Sequence, residues 1–235
     1  MEKIIYIFAS HTASDSEFDY VLRDDRSIPA SQLERIRILD SMDVRTMAAR
    51  ILSALGTGNT IKKLVVLCHG NAGAALIGTQ INASSVGSLS PLRGRFSPVN
   101  DGVLLAGCNI ASGTSVAMSP MMFLSPASCA DDEGGREFTE AMLGTWRSPS
   151  ERRSGMSPGF IGLNFLRLFA STVGVPVVAS IDTQLGGVSM SAGRRVDTTG
   201  FEGRRVTVFP DGTVSEVEHG MSYTESRYEY CHPDS

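Results

Sequence analysis

Cysteine is scarce in this chain: four residues in 235, at Cys68, Cys108, Cys129 and Cys231, with no two spaced as a CxxC pair. So thin a supply excludes a small disulfide scaffold and a zinc ribbon, and it points to a reducing compartment. Long apolar runs are missing as well. The opening stretch MEKIIYIFAS has about six consecutive apolar residues, short of a signal-peptide core and far from the roughly 20 needed to span a bilayer. The expected location is therefore the cytoplasm, or outside the cell by a leaderless route, with no membrane partner. Excess positive charge is lacking too. A formal net charge of -4 and a pI near 5.6 offer no global attraction to nucleic acid. The basic pairs Arg152 and Arg153, Arg194 and Arg195, and Arg204 and Arg205 read as solvated loop ends or faces, so no nucleic-acid partner is expected. No Gly-x-Ser-x-Gly elbow occurs, which weakens a serine-hydrolase reading.

What is present is an ordinary globular balance, 42% hydrophobic and 20% charged, enough for one α/β domain over residues 1–235. Lys3 to Ala9 predicts a first strand. From Ser31 to Leu55 the apolar positions Leu33, Ile36, Leu39, Val44, Met47, Ile51 and Leu52 recur mostly at spacings of three and four, which predicts one amphipathic helix or two in succession, with Asp40 or Ser41 as cap of the second. Lys63 to Cys68 and Gly102 to Ala106 are nearly continuous apolar runs, the signature of strands buried on both faces of a parallel sheet. Between them, Asn82 to Asn100 reads as a polar helix or loop. The stretch from about 114 to 157 is rich in Ser, Met, Pro and Gly, carries Asp131, Asp132 and Glu133, and reads as an inserted mobile segment with one helix near Glu137 to Trp146. Gly159 to Val173 predicts a helix and Pro176 to Ile181 a third buried strand. A hairpin follows, Arg205 to Phe209 and Thr213 to Val217, turned by Pro210, Asp211 and Gly212.

Two of these apolar strands end on a reactive side chain beside glycine: LVVLCHG on His69 and Gly70, GVLLAGC on Gly107 and Cys108. Sites assemble at the carboxyl ends of strands in an open parallel sheet, and neighbouring strands lie about 5 Å apart. An imidazole that takes the proton of a thiol makes it a nucleophile, so His69 could activate Cys108, with the Gly70 and Cys108 amides as oxyanion donors. A lone buried cysteine is more often a small core hydrophobe, the reading given to Cys68, Cys129 and Cys231. His219 stands as the alternative base. A metal site built from Cys68, His69 and Cys108 is short of ligands, and consecutive strand residues point to opposite faces. No metal is expected.

A buried strand ending His-Gly, then a buried strand ending in Cys, resembles the clan CD cysteine peptidases, which include caspases, metacaspases, separase, gingipains and the CHAT proteases. The stretches VVLCHGNAGAALIGTQI, GVLLAGCNIASG and GFIGLNFLRLFASTVGVPVVASID, covering about Lys63 to Asp182, are similar to a bacterial caspase-like domain family of uncharacterised function. The resemblance implies a caspase-like three-layer sandwich, a mostly parallel central sheet flanked by helices, with a C-terminal β-hairpin. It implies a cysteine endopeptidase in which Cys108 is the nucleophile and His69 the base or imidazolium partner, without a cofactor. Ala179, Ser180 and Asp182 would lie near the pocket for the residue preceding the scissile bond. Its partners would be a protein or peptide substrate and an activating protein, in a bacterial effector or defence protease, with processing in the segment at 114–157. A catalytically inactive interaction module of the same fold is the rival reading. The Gln-Ala-Cys signature of caspases is absent, and Gly107 stands where metacaspases carry a different residue, so neither specificity transfers.

Overall fold

Strand after strand in this chain is apolar on both sides, and that property places the sheet in the interior. The structure, a computed structural model, describes residues 1–9, 29–107, 110–111, 160–181, 204–215 and 218–219. In chain order its elements are strand β1 (Glu2–Ala9), β2 (Leu33–Ile38), helix α1 (Val44–Leu55), β3 (Thr60–Leu67), three short strands β4 (His69–Asn71), β5 (Ala74–Leu76) and β6 (Ile81–Asn82), then β7 (Val103–Ala106), helix α2 (Phe160–Val173), β8 (Val177–Ser180), β9 (Arg204–Val208) and β10 (Glu218–His219). Seven of the strands form one sheet in the order β10-β9-β8-β7-β3-β1-β2. Pairing is parallel from β2 to β8 and antiparallel at β8/β9 and β9/β10. The chain is thus α/β with a mostly parallel central sheet.

Alternation along the strands sorts the core into two faces. Ile5, Ile7, Leu64, Val66, Val103, Leu105, Val177 and Ala179 look toward the larger cluster, which also takes in Met47 and Ile51 of α1 and Phe165 and Phe169 of α2. Tyr6, Phe8, Val65 and Leu104 form a second cluster on the other face. Both α-helices pack on the first face. Lys3, buried among these groups, donates to the Glu34 carboxylate and to the Ala54 carbonyl, so β1, β2 and the end of α1 share one ammonium group.

The region from Ser31 to Leu55 corrects the sequence reading. Its first part is not helix but β2, paired in parallel with β1 from Leu33 opposite Ile4 to Ile38 opposite Ala9. Ile36 and Ile38 are buried while Arg35 and Arg37 are exposed, a period of two. Leu33, Ile36 and Leu39 mimic a helical stripe, but Leu39 is exposed. The helix begins later, where the Asp43 carboxylate accepts from the Thr46 amide at 2.6 Å, and ends as Gly56 N–H donates to Leu52.

Other expectations hold to within a residue: β1, β7, α2 and β8 lie where the apolar runs and the helical spacing put them, while β3 starts at Thr60, three residues before the expected Lys63. The hairpin turn is also present, with Gly212 N–H donating to the Phe209 carbonyl, Phe209 N–H to the Thr213 carbonyl, and Val208 bridged to Val214. Between Asn82 and Asn100 the chain makes a 3-10 segment, Val86–Leu92, whose Val86, Leu89 and Leu92 are buried at the three-residue repeat of that helix. The inserted segment at 114–157, with its helix near Glu137 to Trp146, lies outside the described residues. Among the described residues no helix is long and apolar enough to cross a membrane.

Candidate functional site

The carboxyl ends of β3 and β7 are neighbours. Leu67 pairs with Ala106, and the Cys68 amide then donates to the Ala106 carbonyl at 3.3 Å, so the ladder continues one residue past β3. At the next step both chains leave the sheet. On one side the chain turns into β4, which carries buried Gly70 between half-buried His69 and Asn71. On the other side Gly107 follows β7 directly, its amide donating back to the Leu105 carbonyl at 3.1 Å.

Glycine at 107 relieves a tight spot. A Cβ there would lie 3.0 Å from the Cys68 carbonyl oxygen, 3.0 Å from Cδ1 of Ile110 and 3.3 Å from the Gly70 nitrogen. Two stretches of backbone, Cys68 to Gly70 and Gly107, therefore meet with no side chain between them. The hairpin β4-β5 fixes the direction of the Gly70 amide. Asn71 and Ala74 face each other around the turn Ala72-Gly73, and His69 faces Leu76. Exchange of hydrogen bonds alternates along an antiparallel pair, and a pair that closes a two-residue turn exchanges them. Gly70, opposite Ala75, is of the other kind, so its N–H turns away from β5, and its nitrogen lies beside Gly107.

Beyond the gap the chain is fixed again. Gly73 N–H donates to the Ile110 carbonyl at 3.0 Å, and Ala111 N–H donates to the Ser180 carbonyl at 2.9 Å. Ile110 and Ala111 are both fully buried. Gly107 and Ile110, on either side of the Cys108-Asn109 dipeptide in the sequence, are thus held between the His69 hairpin and the end of β8. Cys108 itself lies outside the described residues, as does Asp182. Ala179 and Ser180, the other two residues expected near a substrate pocket, are fully buried in β8, Ala179 between Leu105 and Val206 in the sheet.

The structure brings His69, Gly70, Gly107, Ile110 and Ser180 to one end of the sheet. His219 lies at the same end but off to the side: in β10, at the sheet edge, its backbone pairs with Arg204 of β9, three strand spacings or about 14 Å from β7. An open groove lined by Asn164, Arg167, Leu168, Ser171, Asp211 and Gly212 lies at the opposite end, beside the start of β8, and is unconnected to these residues. Among the described residues no group of three or more His, Cys, Asp or Glu is placed to hold a metal ion. The ties through Gly73 and Ile110 are the part of the site that sequence reasoning missed. Their one visible signal is the Asn-Ala-Gly turn that follows His69-Gly70.

No family model, no curated protein and no solved structure matches the chain.

Proposed function

We propose that the chain is a caspase-like cysteine endopeptidase in which His69 and Cys108 form the catalytic dyad. The observation that carries the reading is the contact of the two strand ends, where glycine at 107 lets Cys68 to Gly70 lie close against the residue that precedes Cys108. Buried parallel strands deliver both chain segments to the carboxyl edge of the sheet, where loops are free to carry chemistry and the scaffold below is rigid.

In this mechanism the Cys108 thiol gives its proton to His69, and the thiolate adds to the carbonyl carbon of a peptide bond. The Gly70 N–H, turned away from β5, and the Cys108 N–H donate to the oxyanion. Collapse breaks the C–N bond, the amine leaves with the proton from the imidazolium, and a thioester remains. Water, deprotonated by His69, then hydrolyses the thioester and regenerates the thiol. The chemistry needs no cofactor. Ser180 and Ala179 would support the wall of the pocket from below, with Asp182 near its mouth.

The test is covalent labelling with a panel of peptidyl acyloxymethyl ketones, read by mass spectrometry of the digested protein, alongside cleavage of a peptide library. Labelling of Cys108 that disappears in His69→Ala, with cleavage absent in Cys108→Ala, is the expected result. A folded protein whose Cys108 is never labelled and which cuts nothing would make it a non-catalytic interaction module.

A further inference from the structure

Gly73 occupies a position that the dyad alone does not explain. Its φ of +72° is a conformation that side chains with a Cβ adopt at a cost, and a Cβ there would lie 2.8 Å from Cγ2 of Ile161 and 3.2 Å from the Ile161 carbonyl oxygen. The β4-β5 turn is thus seated against the first turn of α2 as closely as backbone permits. The same residue donates its N–H to the Ile110 carbonyl at 3.0 Å. One glycine therefore touches three things: the hairpin that carries His69, the chain just beyond Cys108, and the helix that packs on the sheet.

The hairpin is short and largely buried. Gly70, Ala74 and Ala75 are buried, and the strands on either side of the turn are three residues long, so a shift at Gly73 is carried to His69 at the base. Ile110 cannot yield to absorb such a shift, because it is fully buried and its neighbour Ala111 is bonded to Ser180. We infer that Gly73 is a positioning residue for the dyad: its close seat on Ile161 and its hydrogen bond to Ile110 set the separation of His69 from the Cys108 segment. The inference rests on the cysteine-peptidase reading above.

Formation of a thiolate–imidazolium pair depends steeply on that separation, and it shows as thiol reactivity that persists at acid pH, where a solitary thiol with a pKa near 8.5 is unreactive. The experiment is the rate of carbamidomethylation of Cys108 by iodoacetamide between pH 5 and 9. Peptide mass spectrometry follows Cys108 separately from the other cysteines, in the wild type, His69→Ala, Gly73→Ala and Ile161→Ala. Urea unfolding identifies the folded variants. Ile161→Ala trims a half-exposed side chain, leaves every backbone conformation unstrained, and serves if Gly73→Ala does not fold.

In the wild type the acid limb of the profile should extend well below that of His69→Ala. Gly73→Ala should move it toward that of His69→Ala, slowing the reaction at pH 6 by about tenfold, one pH unit of thiolate, with Ile161→Ala shifting it in the same direction by less. A change in the reacting fraction with the inflection unmoved in every folded variant would assign Gly73 a structural part only, and overturn the inference while sparing the dyad. Identical wild-type and His69→Ala profiles would overturn both.

Discussion

A Cβ on Gly107 would stand 3.0 Å from the carbonyl oxygen of Cys68, tighter than side chains and backbone ordinarily approach. Neither partner is soft, since the Cys68 amide is bonded to Ala106 and Ile110 is fully buried. Gly107→Ala should therefore destabilise the protein by about 1–3 kcal/mol, the usual effect of overpacking, with the strand ends pushed apart by a few tenths of an ångström. Urea denaturation measures the first effect, and slower labelling of Cys108 by a peptidyl ketone reports the second.

Gln80 is the one described residue other than glycine with positive φ, at 82°. Its polar backbone groups are occupied, the N–H by the Ile77 carbonyl and the carbonyl by the Ser85 hydroxyl, and both bonds survive replacement by glycine. Relief of the left-handed strain outweighs the extra freedom of glycine in the unfolded chain, so Gln80→Gly should raise stability by about 0.5–1 kcal/mol. A lower urea midpoint than wild type would contradict this.

The Asp43 carboxyl is held below its ordinary range, chiefly by the Thr46 amide that it accepts at the start of α1. A carboxylate with a depressed folded-state pKa contributes stability above its unfolded pKa and loses it as pH falls through the folded value. Thermal melts of the wild type should therefore lose this contribution below about pH 4. Asp43→Asn, which caps without titrating, should show a weaker fall over the same range, and Asp43→Ala should melt lower at neutral pH.

Phe165 and Phe169 meet edge to face with ring centroids 5.8 Å apart, both essentially without solvent exposure under the sheet. Phe169→Ala should cost about 3–5 kcal/mol through the cavity it leaves. Leu168→Ala, one position away but 45% exposed, should stay within about 0.5 kcal/mol of wild type. Similar urea midpoints for the two variants would show that α2 is not seated as described.

The buried strands were legible because both of their faces are covered: KLVVLC and GVLLA are nearly unbroken apolar runs. Their adjacency was not, since the composition of a run does not give its place in the strand order. β2 was not, since it covers only one face. Ile36 and Ile38 alternate with arginines, while Leu33, Ile36 and Leu39 happen to fall three apart, and over so short a stretch both periods fit. The strands β4, β5 and β6 are two or three residues long, below the length at which any period can be counted, so the hairpin that carries His69 was invisible. The 3-10 segment was legible in principle, through Val86, Leu89 and Leu92, but its Ser, Gly and Pro content reads as loop. At the site, residue type pointed to His69, Gly70 and Gly107. The ties from Gly73 to Ile110 and from Ala111 to Ser180 are backbone bonds between distant segments, and beyond the Asn-Ala-Gly turn itself they leave no trace in side-chain identity.

The place of β7 between β3 and β8 bears on when activity can begin. Protein synthesis runs from the amino terminus, and domains organise as their segments emerge. A ribosome has made both His69 and Cys108 well before it reaches Ser180, whose carbonyl holds Ala111 and whose strand closes the open flank of β7. On the reading proposed above, a nascent or truncated chain ending before β8 carries both reactive groups without their framework. Proteolysis would then be deferred by the order of translation itself, and a half-made copy would be harmless to the ribosome that is making it.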